Sequence, residues 1–302
     1  MSSDVKRLQK PAIRKIATAR WEHAMNLAQS LHDDMHTWWA DAEPKTAWVV
    51  SDDRLSVEFV VDVPMPPVEL WQMRANDVVQ NLRDSLTALT VHAAREFAAA
   101  PGKRIDITFP ASMTEESWEH WKGHKYLPAE AADRFRAIQP FETGRLDLHG
   151  LREVSNLEKH EFIVTTSCQP SEIRLEHSIT VEGEWTDADG AATSFELLDA
   201  TIHGGRQSVL RITFPRPITR FTAEPGEYSL AAWLTVPRFV PPTGWESVAA
   251  ADPTDPSSET TEIKLLEALD HWRHEVAWVI AYITGQHSSA TIPPTGGLNL
   301  HS

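Results

Sequence analysis

The sequence predicts an α+β fold in which a helical bundle is joined to an antiparallel β module. Apolar residues recur at three- and four-residue steps over 13–42 and 68–98, which predicts two long helices. Apolar and polar residues alternate instead through 161–240, a pattern typical of antiparallel strands with one buried face. A third helical stripe returns over 259–285. Since that segment has no obvious strand partner, its apolar face is expected to pack back on the bundle.

The first domain is expected to cover residues 1–160. Its first helix begins just after Pro11, because proline is tolerated in the first turn of a helix but not in its interior. A β-hairpin is predicted at 47–63, since an acidic turn separates two apolar arms and the second arm alternates strictly. A run of prolines then ends the hairpin and begins the second helix. The same periodicity predicts a third substantial helix at 147–160.

The remaining divisions follow from changes in composition. Residues 161–240 are expected to form the antiparallel β module, and the stretch 241–258 is rich in Pro, Asp and Ser and is predicted to be a linker. The C-terminal helix at 259–285 is followed by a polar tail, 286–302, which is predicted to be disordered.

Composition excludes several classes of function. The 302 residues carry 43 acidic against 28 basic side chains, a formal net charge of −15. Binding to nucleic acid without regard to sequence and binding to an anionic membrane both need clustered lysine and arginine, so neither is expected. No apolar run reaches the roughly 18–20 residues that cross a bilayer. The first ten residues lack the apolar core of a signal peptide, and Cys168 is the single cysteine, so the expected compartment is the cytoplasm.

Three separated stretches share a recognisable pattern. They are 78–86, which contains Asn-Leu-Arg, then 138–141, which reads Ile-Gln-Pro-Phe, and then 148–160. Together they resemble a widespread group of uncharacterised bacterial proteins with the pattern N-L-R-x-x-L-D-H, Q-P-[YF] and L-x-x-L-x-N-x-[DE]-K-H-R, and the resemblance covers roughly residues 65–165. The first motif of that group contains R-x₄-H, which looks like the catalytic signature of the HEPN superfamily of helical, often dimeric domains.

The resemblance implies a helical fold and self-association, but not an activity. Many HEPN proteins are ribonucleases of toxin–antitoxin and phage-defence systems, in which the arginine and histidine hold the scissile phosphate and assist proton transfer. Here Arg83 is present, but Thr87 and Ala88 stand where the aspartate and histidine would be. His92 lies nine positions after Arg83 and so about 180° around the helix. We therefore expect a degenerate, non-catalytic HEPN-like protein that binds a protein or nucleotide partner and needs no cofactor.

A polar cluster near the end of the third helix is the best candidate for a ligand site. Arg152, Asn156 and His160 follow one another at i, i+4 spacing and share a helix face, and Lys159 lies beside them. Such a set suits an anion such as a nucleotide phosphate. A purely structural role is the alternative, in which Asn156 and His160 satisfy backbone groups at the end of the helix. The candidate ligand-binding residues are Asn81, Arg83, Arg152, Asn156, Lys159 and His160.

Two enzymatic alternatives stay open. A metal-independent ribonuclease could use Arg83 with His160 or Lys159, if folding brings them together. A metal-dependent hydrolase could be built around His32 and His36, which lie one helical turn apart as in the H-E-x-x-H pattern of zinc enzymes, although aspartate occupies the position of the base. A third ligand would have to come from another helix, and the simpler interpretation of this pair is a solvated polar face.

Overall fold

The computed structural model folds into two compact units. Unit 1 comprises Met1–His32, Trp71–Thr165 and Val236–Ser302, and unit 2 comprises Asp33–Leu70 and Thr166–Thr235. The mixture of helices and antiparallel strands confirms the predicted α+β class. The structure describes residues 3–97, 104–160, 167–176, 179–184, 192–198, 204–224, 227–237 and 262–287. The predicted linker 241–258 and most of the predicted tail 286–302 lie outside these residues.

The helices predicted at 13–42, 68–98 and 147–160 begin and end close to where the apolar periodicity places them. The helix predicted at 259–285 begins only at Leu265, because Glu262–Lys264 form a strand. No helix in the described residues combines the length and the apolar character needed to cross a membrane. The helices in the described residues are α1 (Ser3–Leu8), α2 (Pro11–Asp41), α3 (Val68–Phe97), α4 (Glu115–Glu119), a 3₁₀ helix (Lys122–Lys125), α5 (Ala129–Arg136), α6 (Pro140–Thr143), α7 (Asp147–His160) and α8 (Leu265–Ile283).

Unit 1 is a helical assembly in which the C-terminal helix packs on the earlier ones, as predicted. The Trp21 indole on α2 donates a hydrogen bond of 2.9 Å to the carbonyl of Arg273 on α8. The fully buried hydroxyl of Ser85 on α3 donates to the carbonyl of Ala17 on α2, over 2.7 Å. Large apolar side chains such as Leu82 fill the space between the helices. Burial of these apolar stripes is the main stabilising term of this unit.

Gln139 fixes the connecting region between α3 and α7. Its side chain is fully buried, accepts from the backbone N–H of Ser112 over 2.9 Å and donates to the carbonyl of Phe135 over 2.7 Å. A buried amide is tolerated when its donors and acceptors are paired. Pro140 follows at the first position of α6, where its missing N–H costs no helical hydrogen bond. The Gln-Pro-Phe stretch of the pattern therefore holds the chain in position before α7.

Unit 2 contains a four-stranded antiparallel sheet with the strand order β1-β2-β6-β5. Two further ladders pair β3 with β8 and β4 with β7, both antiparallel. A short strand, β9, precedes α8 and belongs to unit 1. The strands are β1 (Lys45–Val50), β2 (Ser56–Val63), β3 (Ser167–Glu176), β4 (Ile179–Glu182), β5 (Ser194–Leu197), β6 (Gly205–Thr213), β7 (Arg220–Ala223), β8 (Glu227–Pro237) and β9 (Glu262–Lys264).

The predicted hairpin forms, but it lies in unit 2 and not in the helical domain where the sequence placed it. The sequence places 47–63 inside the helical domain, whereas β2 pairs along its whole length with β6, from Ser56 opposite Thr213 to Val63 opposite Gly205. The buried face of the hairpin therefore packs within the β-rich unit. Its core contains Val57 and residues from distant parts of the chain, which are Ile212, Phe214 and Ile218, with Trp48, Val181 and Phe221 packed against them.

Gly204 marks a tight approach between the segment before β6 and the segment after β2. Its φ is +82°, and a Cβ built on it would lie 2.6 Å from the Cα of Met65. We expect Gly204→Ala to lower the free energy of unfolding by about 1–3 kcal/mol, because both a left-handed backbone and a backbone clash oppose the methyl group. Chemical denaturation would measure this. Gly205→Ala, which has a similar φ of +75° but open space around its Cβ, is the control that separates the two causes.

Candidate functional site

Arg83 joins α3 to α7, and so brings two of the three pattern stretches together. Its Nη1 donates to the hydroxyl of Ser155 at 2.5 Å and to Oδ1 of Asn156 at 2.7 Å. Gln80, nearly one turn earlier on α3, donates from its amide to the carbonyl of Ser155 over 3.2 Å. Residues separated by about seventy positions in the chain are therefore hydrogen-bonded neighbours.

The local sequence explains why these side chains meet. Leu82 on α3 is buried, as are Leu151 and Val154 on α7, so each helix turns its apolar stripe inward. Arg83 and Asn156 flank these stripes and are half-buried at the edge of the helix pair. Such positions suit a long amphipathic side chain that keeps a polar end at the margin of the core.

The hydrogen bonds orient the groups within this site. The Ser155 hydroxyl donates its proton to the carbonyl of Arg152 over 3.0 Å, so that its oxygen is left to accept from Arg83. Because Asn156 presents its carbonyl oxygen to Arg83, its amide nitrogen faces away from the guanidinium. Within the described part of the chain that nitrogen has no hydrogen-bond partner. The guanidinium is therefore held in one position, beside an amide nitrogen that can donate a hydrogen bond to a ligand.

The other candidate residues lie around this link without joining it directly. Asn81 donates from its side chain to the carbonyl of Asp77 over 2.8 Å, one turn earlier on α3. Arg152 donates to the carbonyl of Ala111 over 2.8 Å and forms an ion pair with Glu153 at 2.9 Å. The predicted Arg152–Asn156 face is therefore divided, since Arg152 is directed to the segment before α4 and Asn156 to α3.

Lys159 and His160 belong to the last turn of α7. Their side chains lie outside the described part of the structure. Their backbone positions are one turn beyond Asn156, at the end of the same helix.

His149 is a further histidine of α7, which the sequence did not single out. It is 5% exposed, and its burial together with the nearby Arg152 lowers the pKa of its imidazole below the usual range. The surroundings of His149 therefore favour its neutral form. The sequence pattern also did not single out Ser155 and Gln80 as site residues, although Ser155 directly precedes the asparagine of the pattern.

A buried acidic group lies elsewhere in unit 1, between α8 and the start of α7. Glu275 is 2% exposed, and its Oε2 lies 2.8 Å from Nη2 of Arg145. Arg145 also contacts Asp147 at 3.4 Å. Burial raises the pKa of Glu275 to about 8, and this effect outweighs the attraction of Arg145. A charged residue within the apolar stripe of α8, three positions after Trp272, was the available sequence signal.

The histidines of α2 do not form a metal centre with other residues that the structure describes. His32 lines a groove of about 150 Å³ with Met25, Leu269 and Asp270. His274 on α8 is directed to its own helix, since its Nδ1 lies 2.9 Å from the carbonyl of Asp270. No three His, Cys, Asp or Glu side chains in the described ranges are placed to hold one metal ion.

The best-defined site is thus a guanidinium held between two helices by a hydroxyl and an amide. It contains residues from the first and third stretches of the pattern, while the second stretch supports the chain nearby. No family model, curated protein or solved structure matches this chain. Function is therefore inferred from the chemistry of this site and from the three short stretches of sequence.

Proposed function

We propose that this chain is a degenerate, non-catalytic HEPN-like protein that binds a protein or nucleotide partner at the α3–α7 site, in a defence or toxin–antitoxin setting. Self-association through the helical unit, as in HEPN domains, is part of the proposal. The observation that carries it is the guanidinium of Arg83, which Ser155 and Asn156 hold in one position.

The residue types at the site favour binding over cleavage. Cleavage of RNA through its 2′-hydroxyl needs a group that accepts a proton near pH 7. Arginine cannot do this, since its guanidinium stays protonated, and Ala88 occupies the position of the histidine in the pattern. Arg83 thus supplies a group that recognises an anion, whereas Ala88 does not supply the group that would move a proton.

A held arginine is well suited to recognition. Its planar donors match the oxygens of a phosphate or carboxylate, and a guanidinium that is already positioned loses less entropy when it binds. The amide nitrogen of Asn156 adds a neutral donor next to it. These two groups give a site for an anionic group, which a nucleotide or an acidic protein side chain could supply.

A ribonuclease assay tests the absence of catalysis. The purified full chain is incubated with mixed RNA substrates, with and without a chelator, beside Arg83→Ala and His160→Ala. We expect no cleavage above background from any of the three proteins. Cleavage by the wild type that both substitutions abolish and the chelator leaves unchanged would contradict the proposal and support the metal-independent ribonuclease. Cleavage that the chelator stops would point instead to His32 and His36.

Thermal shift and calorimetry with ATP, GTP and their monophosphates test the binding of nucleotides. We expect at least one of these probes to raise the melting temperature, and Arg83→Lys to weaken its binding about tenfold or more, because a lysine keeps the charge but not the planar set of donors. Arg20→Lys is the matched control, since Arg20 lies on the neighbouring helix and pairs with the exposed Asp84 at 3.0 Å. If no probe binds, the nucleotide part of the proposal is wrong.

A further inference from the structure

Unit 2 presents exposed apolar side chains at one edge of its four-stranded sheet. The strand β5 is one of the two edge strands of this sheet, and its Phe195 and Leu197 are 71% and 72% exposed. Both side chains lie on the face that carries the core residues Val57 and Phe59, because Phe195 is opposite Ile212 and Leu197 is opposite Leu210. The apolar face of the sheet therefore continues from the core out to its edge.

A hollow of about 370 Å³ lies on this face next to β5, where the sheet approaches β4. Its lining is apolar except for one hydroxyl, and it borders the core directly. The residues around it are Ile179, Val181, Thr193, Phe195, Ile212 and Phe214. An exposed apolar patch with a hollow that can receive a side chain is typical of an interaction surface.

The outer edge of β5 also offers backbone hydrogen-bonding groups. Leu198 N–H donates to the carbonyl of Val209 over 3.2 Å, which places residues 194, 196 and 198 in the hydrogen-bonded pairs with β6. Because such pairs alternate along an antiparallel ladder, the N–H and C=O groups of Phe195 and Leu197 point away from β6. No strand among the described residues pairs with this edge. An open edge of this kind accepts an additional strand.

Charge indicates what kind of strand would bind. Unit 2 contains nineteen acidic against seven basic residues, whereas the two kinds are almost balanced in unit 1. The basic side chain nearest the middle of β5, Arg211, is bound to Glu58 at 2.8 Å and lies 3.6 Å from Glu196. The sheet edge is therefore apolar on one face and belongs to a unit that carries twelve more acidic than basic residues, which favours a basic partner.

A second copy of the chain fits this edge poorly. Pairing β5 with its own copy would bring two units of net negative charge together, and like charges disfavour association. A four-residue strand with two exposed apolar side chains also offers far less area than the roughly 800 Å² per partner of a stable interface. A flexible segment of another protein avoids both problems, since only a short stretch of it must contact the edge.

We propose that the outer edge of β5 binds an extended segment of a partner protein, which adds a strand to the sheet, places alternate apolar side chains against Phe195, Leu197 and the hollow, and carries lysine or arginine at the positions between. Backbone hydrogen bonds supply affinity, while the apolar hollow and the net negative charge of unit 2 supply specificity. This surface lies in unit 2, so it binds its partner whether or not the α3–α7 site binds one.

Two labelled peptides with the same apolar alternation test the proposal. One is the seven-residue repeat Lys-Val-Lys-Val-Lys-Val-Lys, the other has glutamate in place of every lysine, and fluorescence anisotropy with the full chain measures their binding. We expect the lysine peptide to bind and the glutamate peptide to bind at least tenfold more weakly. Methylation of the backbone nitrogens that face the edge should lower the affinity of the lysine peptide at least tenfold, because it removes the hydrogen-bond donors of the added strand.

Variants of the chain locate the binding. We expect the double variant Phe195→Ser, Leu197→Ser to lose at least tenfold in affinity for the lysine peptide and to keep the wild-type melting temperature, because both side chains are already exposed. Met73→Ser is the matched control, since Met73 is 61% exposed on α3 in unit 1. Equal binding of the two peptides, indifference to methylation, or no binding at all would overturn the proposal. A wild-type dimer that the double variant lacks in sedimentation would also overturn it, and would make a second copy the occupant.

Discussion

Replacement of Phe59 by alanine is expected to lower the free energy of unfolding of unit 2 by about 3–5 kcal/mol. Phe59 is 1% exposed, and its ring lies 5.0 Å from that of Trp48 on the neighbouring strand. Removal of the ring loses the favourable free energy of transferring it from water into the core. It also leaves a cavity in the middle of the sheet face, which the surrounding strands can fill only in part. Denaturant titration followed by tryptophan fluorescence would measure the change, since Trp48 reports on this core.

Phe195→Ala is the matched control for that result. Both phenylalanines lie on the same face of the same sheet, but Phe195 is 71% exposed, so its loss should change the free energy of unfolding by no more than about 0.5 kcal/mol. A large loss of stability in Phe195→Ala would mean that Phe195 is part of the core, and would also contradict the docking surface proposed for β5. A small loss in Phe59→Ala would mean that the sheet does not pack as described.

Glu275→Gln is expected to stabilise unit 1 at alkaline pH and to have little effect in acid. Burial raises the pKa of this carboxyl from its usual value near 4.5 to about 8 in the folded chain. A raised pKa means that the folded state holds the proton more tightly than the unfolded state does. The stabilisation is therefore fully present below about pH 4.5 and is lost as the pH rises through about 8.

The size of this effect follows from the difference between the folded and unfolded pKa. Each pKa unit of this difference corresponds to about 1.4 kcal/mol. The free energy of unfolding of the wild type should therefore fall by on the order of 3–5 kcal/mol between pH 5 and pH 9 because of this group. Glutamine has the shape of the protonated acid and does not titrate, so the variant should lack this loss. Arg145, which contacts Glu275, and Asp147, whose charge raises the pKa of Glu275, are both retained in the variant.

Melting temperatures of the two proteins across pH 5–9 would measure the difference. Glu267→Gln is the control on the same helix, because it makes the same chemical change at an exposed position. If Glu275→Gln destabilises the chain equally at pH 5 and pH 9, the attraction of Arg145 outweighs burial. The carboxyl would then be charged throughout this range.

The sequence by itself determined the class of the fold and the approximate bounds of the hairpin and of three helices. The predicted helices 13–42, 68–98 and 147–160 correspond to α2 (Pro11–Asp41), α3 (Val68–Phe97) and α7 (Asp147–His160). The turn and the strict alternation of the hairpin likewise located β1 and β2. These features are local, because helical periodicity, strand alternation and proline each act over a few residues.

Only the tertiary structure decided which elements lie together and which polar groups meet. The alternation over 47–63 showed that the hairpin has an apolar face, but not that β6, about 150 residues later, covers it. The pattern singled out Arg83 and Asn156, yet their hydrogen bond depends on how α3 and α7 pack. The sequence likewise shows Glu275 only as an acidic residue on a helix. Its raised pKa follows from burial, which only the tertiary structure shows. Pairing, contact and burial join residues far apart in the chain, and a local pattern carries no information about them.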